Sequence, residues 1–292
     1  MIEDTTRRAL DLVEELRAEI DFEIDDVIAD IIRDLPDQYF RRLRRSDQLK
    51  HLKTLLAISI CQLDNQISLR SKDDRHVAVI GRQDYPGLLA KIVKRLPTGQ
   101  PLIAAQIFTS KAHNFIIDLF EFEVPNPDGV NDKAMIDQHE IETAVDTVSD
   151  ELGVAREQIA QFVASYPRTS QVLNYPEILK GHFQAYSQLQ ERNKPYISWE
   201  VGDDVSRLTV ATNKMRAREV FRRSAEFLAE KSLDINAAFL NDLAANESGG
   251  QGRASIASFT VSNSSGPLTE LTIDIDGLAG YLKEKQSVSE KA

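Results

Sequence analysis

The chain has 292 residues, a formal net charge of −11, 42% hydrophobic residues and 28% charged residues. This length predicts about two domains of roughly 100–200 residues each, and the composition is that of a globular protein. No apolar run approaches the roughly 20 residues of a membrane span, and the acidic start, Met1 to Asp4, lacks an apolar signal region. We therefore predict a cytoplasmic protein without a membrane partner. The acidic balance also argues against a nucleic-acid partner.

The N-terminal part, residues 1–64, is predicted to be all helical. Apolar residues recur at helical spacing over residues 4–34 and again from Asp37 to Leu63. Thirteen acidic and four basic residues lie in residues 1–37, so most of the net charge is concentrated there. Cys61 is the single cysteine and lies in an apolar helical run. We interpret it as a buried packing residue rather than a reactive thiol.

In the next part, residues 65–152, the spacing of hydrophobic residues first changes from a helical period to alternation. Alternation from Asn65 to Arg82 predicts a β-hairpin. A helix over 87–96, strands from Leu102 to Thr109 and from Phe115 to Val124, and a helix from Asp137 to Leu152 follow. The last strand is apolar enough to be central in a sheet. This order is β-α-β-β-α preceded by one extra strand, close to the ferredoxin-like β-α-β-β-α-β layout.

A helical spacer, residues 153–198, separates this unit from a second one, residues 199–285. Helices are predicted at Arg156 to Ala164 and Ile178 to Leu189. The earlier order then returns, with strands from Arg207 to Thr212, Ile235 to Ala244 and Ala254 to Ser262, and helices at 216–231 and 268–282. Residues 272–275 could instead form a short strand. The predicted fold class is therefore α+β, with two similar units, an all-α N-terminal segment and a helical spacer.

The turn between the first strand and helix of the first unit is the most informative motif, GRQDYPGLL at 81–89. Pro86 suits a first helical turn, Gly87 permits close approach of a ligand or of backbone, and Asp84 can cap the helix. Because a helix N-terminus offers free N–H groups to anions, the turn could bind a ligand carboxylate, with Asp84 meeting an amino group. In the alternative interpretation, Asp84 only caps the helix and Pro86-Gly87 only forms the turn, without binding a ligand. The candidate ligand-binding residues are Arg82, Gln83, Asp84, Tyr85, Gly87 and Leu88.

Catalytic and metal motifs are missing from the sequence. It contains neither a G-x-G-x-x-G fingerprint nor a phosphate-binding G-x-x-x-x-G-K-[ST] loop. The five histidines are scattered and lack metal-ligand spacing. His139, with Glu140 and Glu142 on one predicted helix, is interpreted as a solvated face. We therefore assign no catalytic residue, no metal ligand and no cofactor to this chain.

The turn at 84–89 resembles the strand-to-helix turn of ACT domains, small modules that bind amino acids and report them to enzymes. A wider span resembles the N-terminal regulatory region of the large NAD-specific bacterial glutamate dehydrogenases. The residues that carry this resemblance are LPDQYF at 35–40, DQLKHL at 47–52, ISLRS at 67–71, DYPGLL at 84–89, AQIFTS at 105–110 and DLFEF at 118–122.

The resemblance implies two ACT-like units, at 65–152 and 199–285, in a regulatory and oligomerisation region. It implies an amino-acid effector, a homo-oligomer, and a catalytic dehydrogenase part, with its NAD, in the same polypeptide or in a separate one. The family's substrate lysine and dinucleotide-binding unit have no counterpart in these residues, which leaves open whether the protein is an enzyme. Two alternatives remain: a stand-alone amino-acid-binding ACT regulator, and an assembly scaffold that binds no ligand.

Overall fold

The computed structural model describes residues 31–33, 35, 39, 45–61, 63, 66–70, 76–82, 84–110, 115–123, 138–166, 176–202, 206–243, 254–262 and 275–284. These residues form a mixed α+β fold around an eight-stranded antiparallel sheet, with strand order β1-β2-β4-β3-β7-β8-β6-β5. The predicted helices over residues 4–34 and the possible strand at 272–275 lie largely outside the described residues.

The first half of the sheet follows helix α1 (Arg45–Ile60). The hairpin of β1 (Ile67–Arg70) and β2 (His76–Arg82) is confirmed by its antiparallel register. Helix α2 (Leu88–Arg95) then leads to β3 (Leu102–Ser110) and β4 (Phe115–Phe122). As predicted from its apolar sequence, β4 is an interior strand, paired with β2 on one side and β3 on the other.

Between the halves, the described residues form the helices α3 (Gln138–Leu152), α4 (Arg156–Ala164) and α5 (Pro176–Arg192). The second half contains β5 (Tyr196–Glu200), β6 (Ser206–Thr212), α6 (Ala217–Glu230), β7 (Asp234–Leu243), β8 (Ala254–Ser262) and α7 (Ile275–Glu284). Its strand order, read from its outer edge inwards, repeats that of the first half.

The two halves join through the pairing of β3 with β7, which is antiparallel and runs from Ala104 opposite Asn241 to Phe108 opposite Ala237. The inner edge of each half is therefore covered by the other half of the same chain, which removes two edges that could otherwise aggregate. Both outer positions of the sheet, among the described residues, are held by β1 and β5.

Helices cover both faces of the sheet. On one face, α2, α6 and α7 share a core with both halves, in which the Phe221 and Phe259 rings stack with centroids 5.1 Å apart. On the other face, α1 packs over the first half through Leu55 and Ile58. The helices α3, α4 and α5 form a second core with the strands of the second half, around Phe162.

Several sequence predictions need correction. Strand β5 begins at Tyr196, inside the predicted helical spacer, and was not predicted. The first half has the predicted order, β-α-β-β-α preceded by one extra strand; in the second half β5 is the corresponding strand, so that among the described residues both halves read β-β-α-β-β-α. Helix α3 packs against α4 and α5. Cys61 is exposed, because α1 ends at Ile60 and Cys61 lies in the turn that follows.

Candidate functional site

The turn after β2 is built around a glycine in the left-handed conformation. Gly87 has φ 89° and ψ −4°, occupies the N-cap position of α2, and provides no side chain to cap the helix. The N-cap position is therefore held by Gly87, and Asp84 lies three residues before it. The Leu88 N–H donates to the Tyr85 carbonyl oxygen at 3.0 Å, so this amide, one of those predicted to meet a carboxylate, already has a partner. The N–H groups of Leu89 and Ala90, also in the first turn, lack a carbonyl partner within the helix.

Gly87 faces the other half of the chain. A Cβ placed on it would lie 3.5 Å from the Cβ of Ala229 on α6, an ordinary van der Waals distance. The turn thus lies against α6 and against the segment that leads from α6 into β7. The site predicted from one unit is a junction between both units.

A small cavity, about 20 Å³ in volume, lies at this junction. Such a volume accommodates about one water-sized group. Its walls come from the turn, from β3 and β4, and from the start of β7, and the lining residues are Asp84, Tyr85, Pro86, Gly87, Leu88, Leu89, Ile107, Thr109, Ile116, Asp118, Leu233, Asp234 and Ile235. Three of these side chains are carboxylic acids.

Asp118 is the most unusual residue of the cavity. It lies on β4 with only 2% of its surface exposed, and its Oδ1 has no hydrogen-bond partner among the described residues. Burial, and secondarily the charge of Asp84, raises the pKa of the Asp118 carboxyl well above its usual range. An unpaired polar group in the interior destabilises a fold by about 1–3 kcal/mol. A residue that carries this cost inside a cavity is a candidate for function.

A cation, Lys91, lies next to one lining residue, Tyr85, although it does not line the cavity itself. Tyr85 is 39% exposed, and its hydroxyl accepts a hydrogen bond of 3.4 Å from the Lys91 ammonium group. The same ammonium group lies 4.7 Å from the centroid of the Tyr85 ring. Acidic groups inside and a lysine outside give the site the polarity that a zwitterion requires.

The opposite junction is filled by the chain itself. The strand order and the antiparallel β3–β7 pair relate the two halves by an approximate two-fold axis, with Gln106 opposite Phe239 at the centre of the pair. At the junction related to the cavity, Arg218 at the start of α6 reaches the end of α2. Its guanidinium group donates at 2.8 Å to the carbonyl oxygens of Val93, Leu96 and Pro97, and at 3.3 Å to that of Lys94.

This pairing makes the two junctions chemically different. Leu89, the second residue of α2, lines the cavity, whereas Arg218, the second residue of α6, caps a helix C-terminus with its positive charge. The open acidic cavity is on the side of the DYPG turn.

The predicted residues are distributed as follows. Asp84, Tyr85, Gly87 and Leu88 line the cavity together, whereas Arg82, the last residue of β2, is not among the lining residues. Gln83 lies outside the described residues.

Sequence reasoning missed Asp118, Thr109 and the contribution of Leu233 to Ile235. One signal was present for Asp118: it is the single acid within the apolar run from Phe115 to Phe120.

Metal chemistry has no support in the described part of the chain, where no group of three or more His, Cys, Asp or Glu side chains is arranged to hold a metal ion. His139 is an exposed residue of α3. In the same described ranges, no helix combines the length and apolarity needed to cross a membrane.

Comparison of the chain with protein-family models, curated proteins and solved structures found no match.

Proposed function

We propose that this chain is an amino-acid-responsive regulatory region made of two ACT-like units, of the kind found ahead of the catalytic part of NAD-specific glutamate dehydrogenases. The observation that carries the proposal is the acidic cavity between the halves, formed by the turn at 84–89 and containing the buried, unpaired carboxyl of Asp118. The repeated strand order of the halves and their pairing through β3 and β7 support the assignment of two like units.

The polarity of the site matches an α-amino acid. The ammonium group enters the cavity, where Asp84 and Asp118 offer acceptors. The carboxylate lies at the rim, close to Lys91 and to the N-terminal turn of α2, where the helix dipole favours an anion. Because the cavity holds about one water-sized group, the side chain of the ligand lies outside it, along Tyr85 and Pro86.

In this proposal the regulatory region acts on a catalytic dehydrogenase part in the same polypeptide or in a partner chain, and NAD binds to that part. The region also assembles with further copies of itself. The outer strands β1 and β5 are the elements through which sheets of two copies could pair, since edge strands carry unused hydrogen-bonding groups.

Calorimetric titration of each of the twenty amino acids into the purified chain tests the proposal. We expect at least one to bind at millimolar concentration or below, and Asp84→Asn to weaken its binding by about ten- to a hundredfold, because a charge-assisted hydrogen bond contributes about 1.5–3 kcal/mol. Asp150→Asn, an exposed acid on α3, is the matched control and should leave the affinity unchanged. Binding of no amino acid would exclude the sensor function and favour the assembly scaffold.

A further inference from the structure

The inner end of the cavity accepts a narrower range of chemical groups than its mouth. Asp118 Oδ1 is buried without a partner, so this end offers an acceptor that no described protein group uses. Thr109 Oγ1, which also lines the cavity, donates its proton to the Ile235 carbonyl oxygen at 3.4 Å and therefore presents its lone pairs to other donors. A group that fills this space must be small and must donate hydrogen bonds.

We propose that the inner end of the cavity is a binding site for an ammonium head group, –NH₃⁺ or free NH₄⁺, with Asp118 Oδ1 as its principal acceptor. The inference deepens the proposed function and rests on it only where the head group belongs to an amino acid. The same chemistry has two sources, free ammonium or a simple primary amine on one hand and an α-amino acid on the other.

Other ligand classes fit less well. A carboxylate or phosphate would meet the acidic side chains of Asp84 and Asp234, which also line the cavity and disfavour an anion. A guanidinium group is a planar fork, wider than a space of about 20 Å³ accepts. A divalent cation needs several oxygen ligands at about 2.0–2.6 Å, and the described acids are not arranged to supply them. An ammonium group is water-sized and carries three or four donors, and its positive charge favours the ionised form of Asp118, which burial otherwise opposes.

The rim adds selectivity for the amino acid over a bare amine. Lys91 does not line the cavity, but its ammonium group contacts the exposed Tyr85 side chain, which does, and we assign it to the carboxylate of a bound amino acid. An α-amino acid should therefore bind more tightly than methylammonium, and its analogue without the amino group should not bind. These three ligands separate the contributions of the two ends of the site.

The test titrates ammonium chloride, methylammonium, tetramethylammonium, the twenty amino acids and propionate into the full chain at constant ionic strength. We expect ammonium or methylammonium to bind, and tetramethylammonium, which is larger and has no N–H donor, to fail. Alanine, if it is among the amino acids that bind, should exceed propionate by at least about tenfold. These comparisons need no variant, so they remain decisive if a substitution prevents folding.

Two variants then locate the acceptor. Asp118→Asn keeps the shape of the side chain but cannot ionise to pair with a cation, and we expect it to lower the affinity for every ligand that bears an ammonium group by about tenfold or more. Glu121→Gln is the matched control, because it changes a buried acid of the same strand on the opposite face of the sheet, and it should leave binding unchanged.

The outcomes separate this inference from the proposed function. Amino-acid binding that is unaffected by Asp118→Asn would overturn the inference and leave the proposed function intact. Binding of ammonium or methylammonium without any amino acid would support the inference and exclude the amino-acid sensor. The inference would be overturned if propionate or tetramethylammonium bound as tightly as the amines. It would also be overturned if no cation bound, in which case the cavity holds only water.

Discussion

Acidification should destabilise this fold through a buried histidine, His182 of α5, whose protonation the structure opposes. Its side chain is fully buried, its Nδ1 shares a hydrogen bond of 2.8 Å with the Tyr166 hydroxyl, and its Nε2 shares another of 2.8 Å with the Ser258 hydroxyl. The Ser258 hydroxyl is in turn 3.0 Å from that of Thr209. Burial, and secondarily the charge of Arg207, lowers the pKa of His182 to about 3.

The sign and size of the effect follow from this pKa. The unfolded chain protonates this histidine below pH of about 6.5, whereas the folded chain keeps it neutral down to about pH 3. The unfolded state therefore binds one more proton across this window, and the free energy of unfolding falls as the pH falls, by about 1.4 kcal/mol per pH unit where the difference is complete. At pH 5 the loss from His182 is about 2 kcal/mol relative to pH 7.5.

Urea unfolding followed by circular dichroism between pH 7.5 and 5 measures this dependence. His51, whose pKa burial lowers to about 4, contributes in the same direction, and Asp118, whose pKa burial raises, contributes in the opposite one, so the readout is the difference between wild type and His182→Gln. The variant will be less stable at pH 7.5, since Tyr166 and Ser258 lose their partner, but its stability should fall less steeply on acidification. His139→Gln, on the surface of α3, should keep the wild-type slope. Parallel slopes for wild type and His182→Gln would refute the reasoning.

Two further predictions concern the contact between the halves. Arg218→Met should lower the free energy of unfolding by about 2 kcal/mol, because a half-buried charged donor to four carbonyl oxygens is lost. Its control in the same urea experiment is Arg216→Met, which changes an exposed residue. Equal unfolding midpoints for the two variants would contradict the role of Arg218. Gly87→Ala should lower the free energy of unfolding by about 1–2 kcal/mol, because Gly87 has a φ of 89°. Its control is Gly99→Ala, which should leave stability nearly unchanged because an added Cβ meets nothing within 4 Å. Equal melting temperatures of the two alanine variants would count against the left-handed turn.

Local patterns predicted most of the elements, because the signals that end them are also local. Helix α4 has the predicted bounds, and Gly153, with φ 61°, separates it from α3. Strand β8 also has the predicted bounds. Strand β5 was missed because its side chains are partly buried along most of its length, without a clear alternation, and its pairing with β6 defines it.

The junction between the halves could not be predicted from local signals. Strands β3 and β7 lie more than 100 residues apart in the chain, and their register depends on packing across the whole sheet. The turn at 84–89 identified one wall of the cavity. The opposite wall, from Leu233 to Ile235, comes from a segment that has no marked motif of its own.

Asp118 shows the limit of the sequence most clearly. An acid inside an apolar strand predicts either an exposed position at a sheet edge or an unusual buried group. The apolar sequence of β4 predicted a central strand, which favours burial, and the structure confirms that β4 lies between β2 and β3 and that Asp118 is buried. The cavity that the acid lines is completed by Leu233 and the start of β7, which belong to the other half of the chain.

The central claim is that an amino acid binds in the cavity between the halves. The most direct test is to measure hydrogen exchange of the backbone amides with and without the amino acid that binds most tightly. The account predicts slower exchange in residues 84–90 and 231–236 at saturation, and unchanged exchange in residues 96–102 and 213–218, at the junction that Arg218 fills. Protection that is confined to the Arg218 junction, or that lies outside both junctions, would contradict the account.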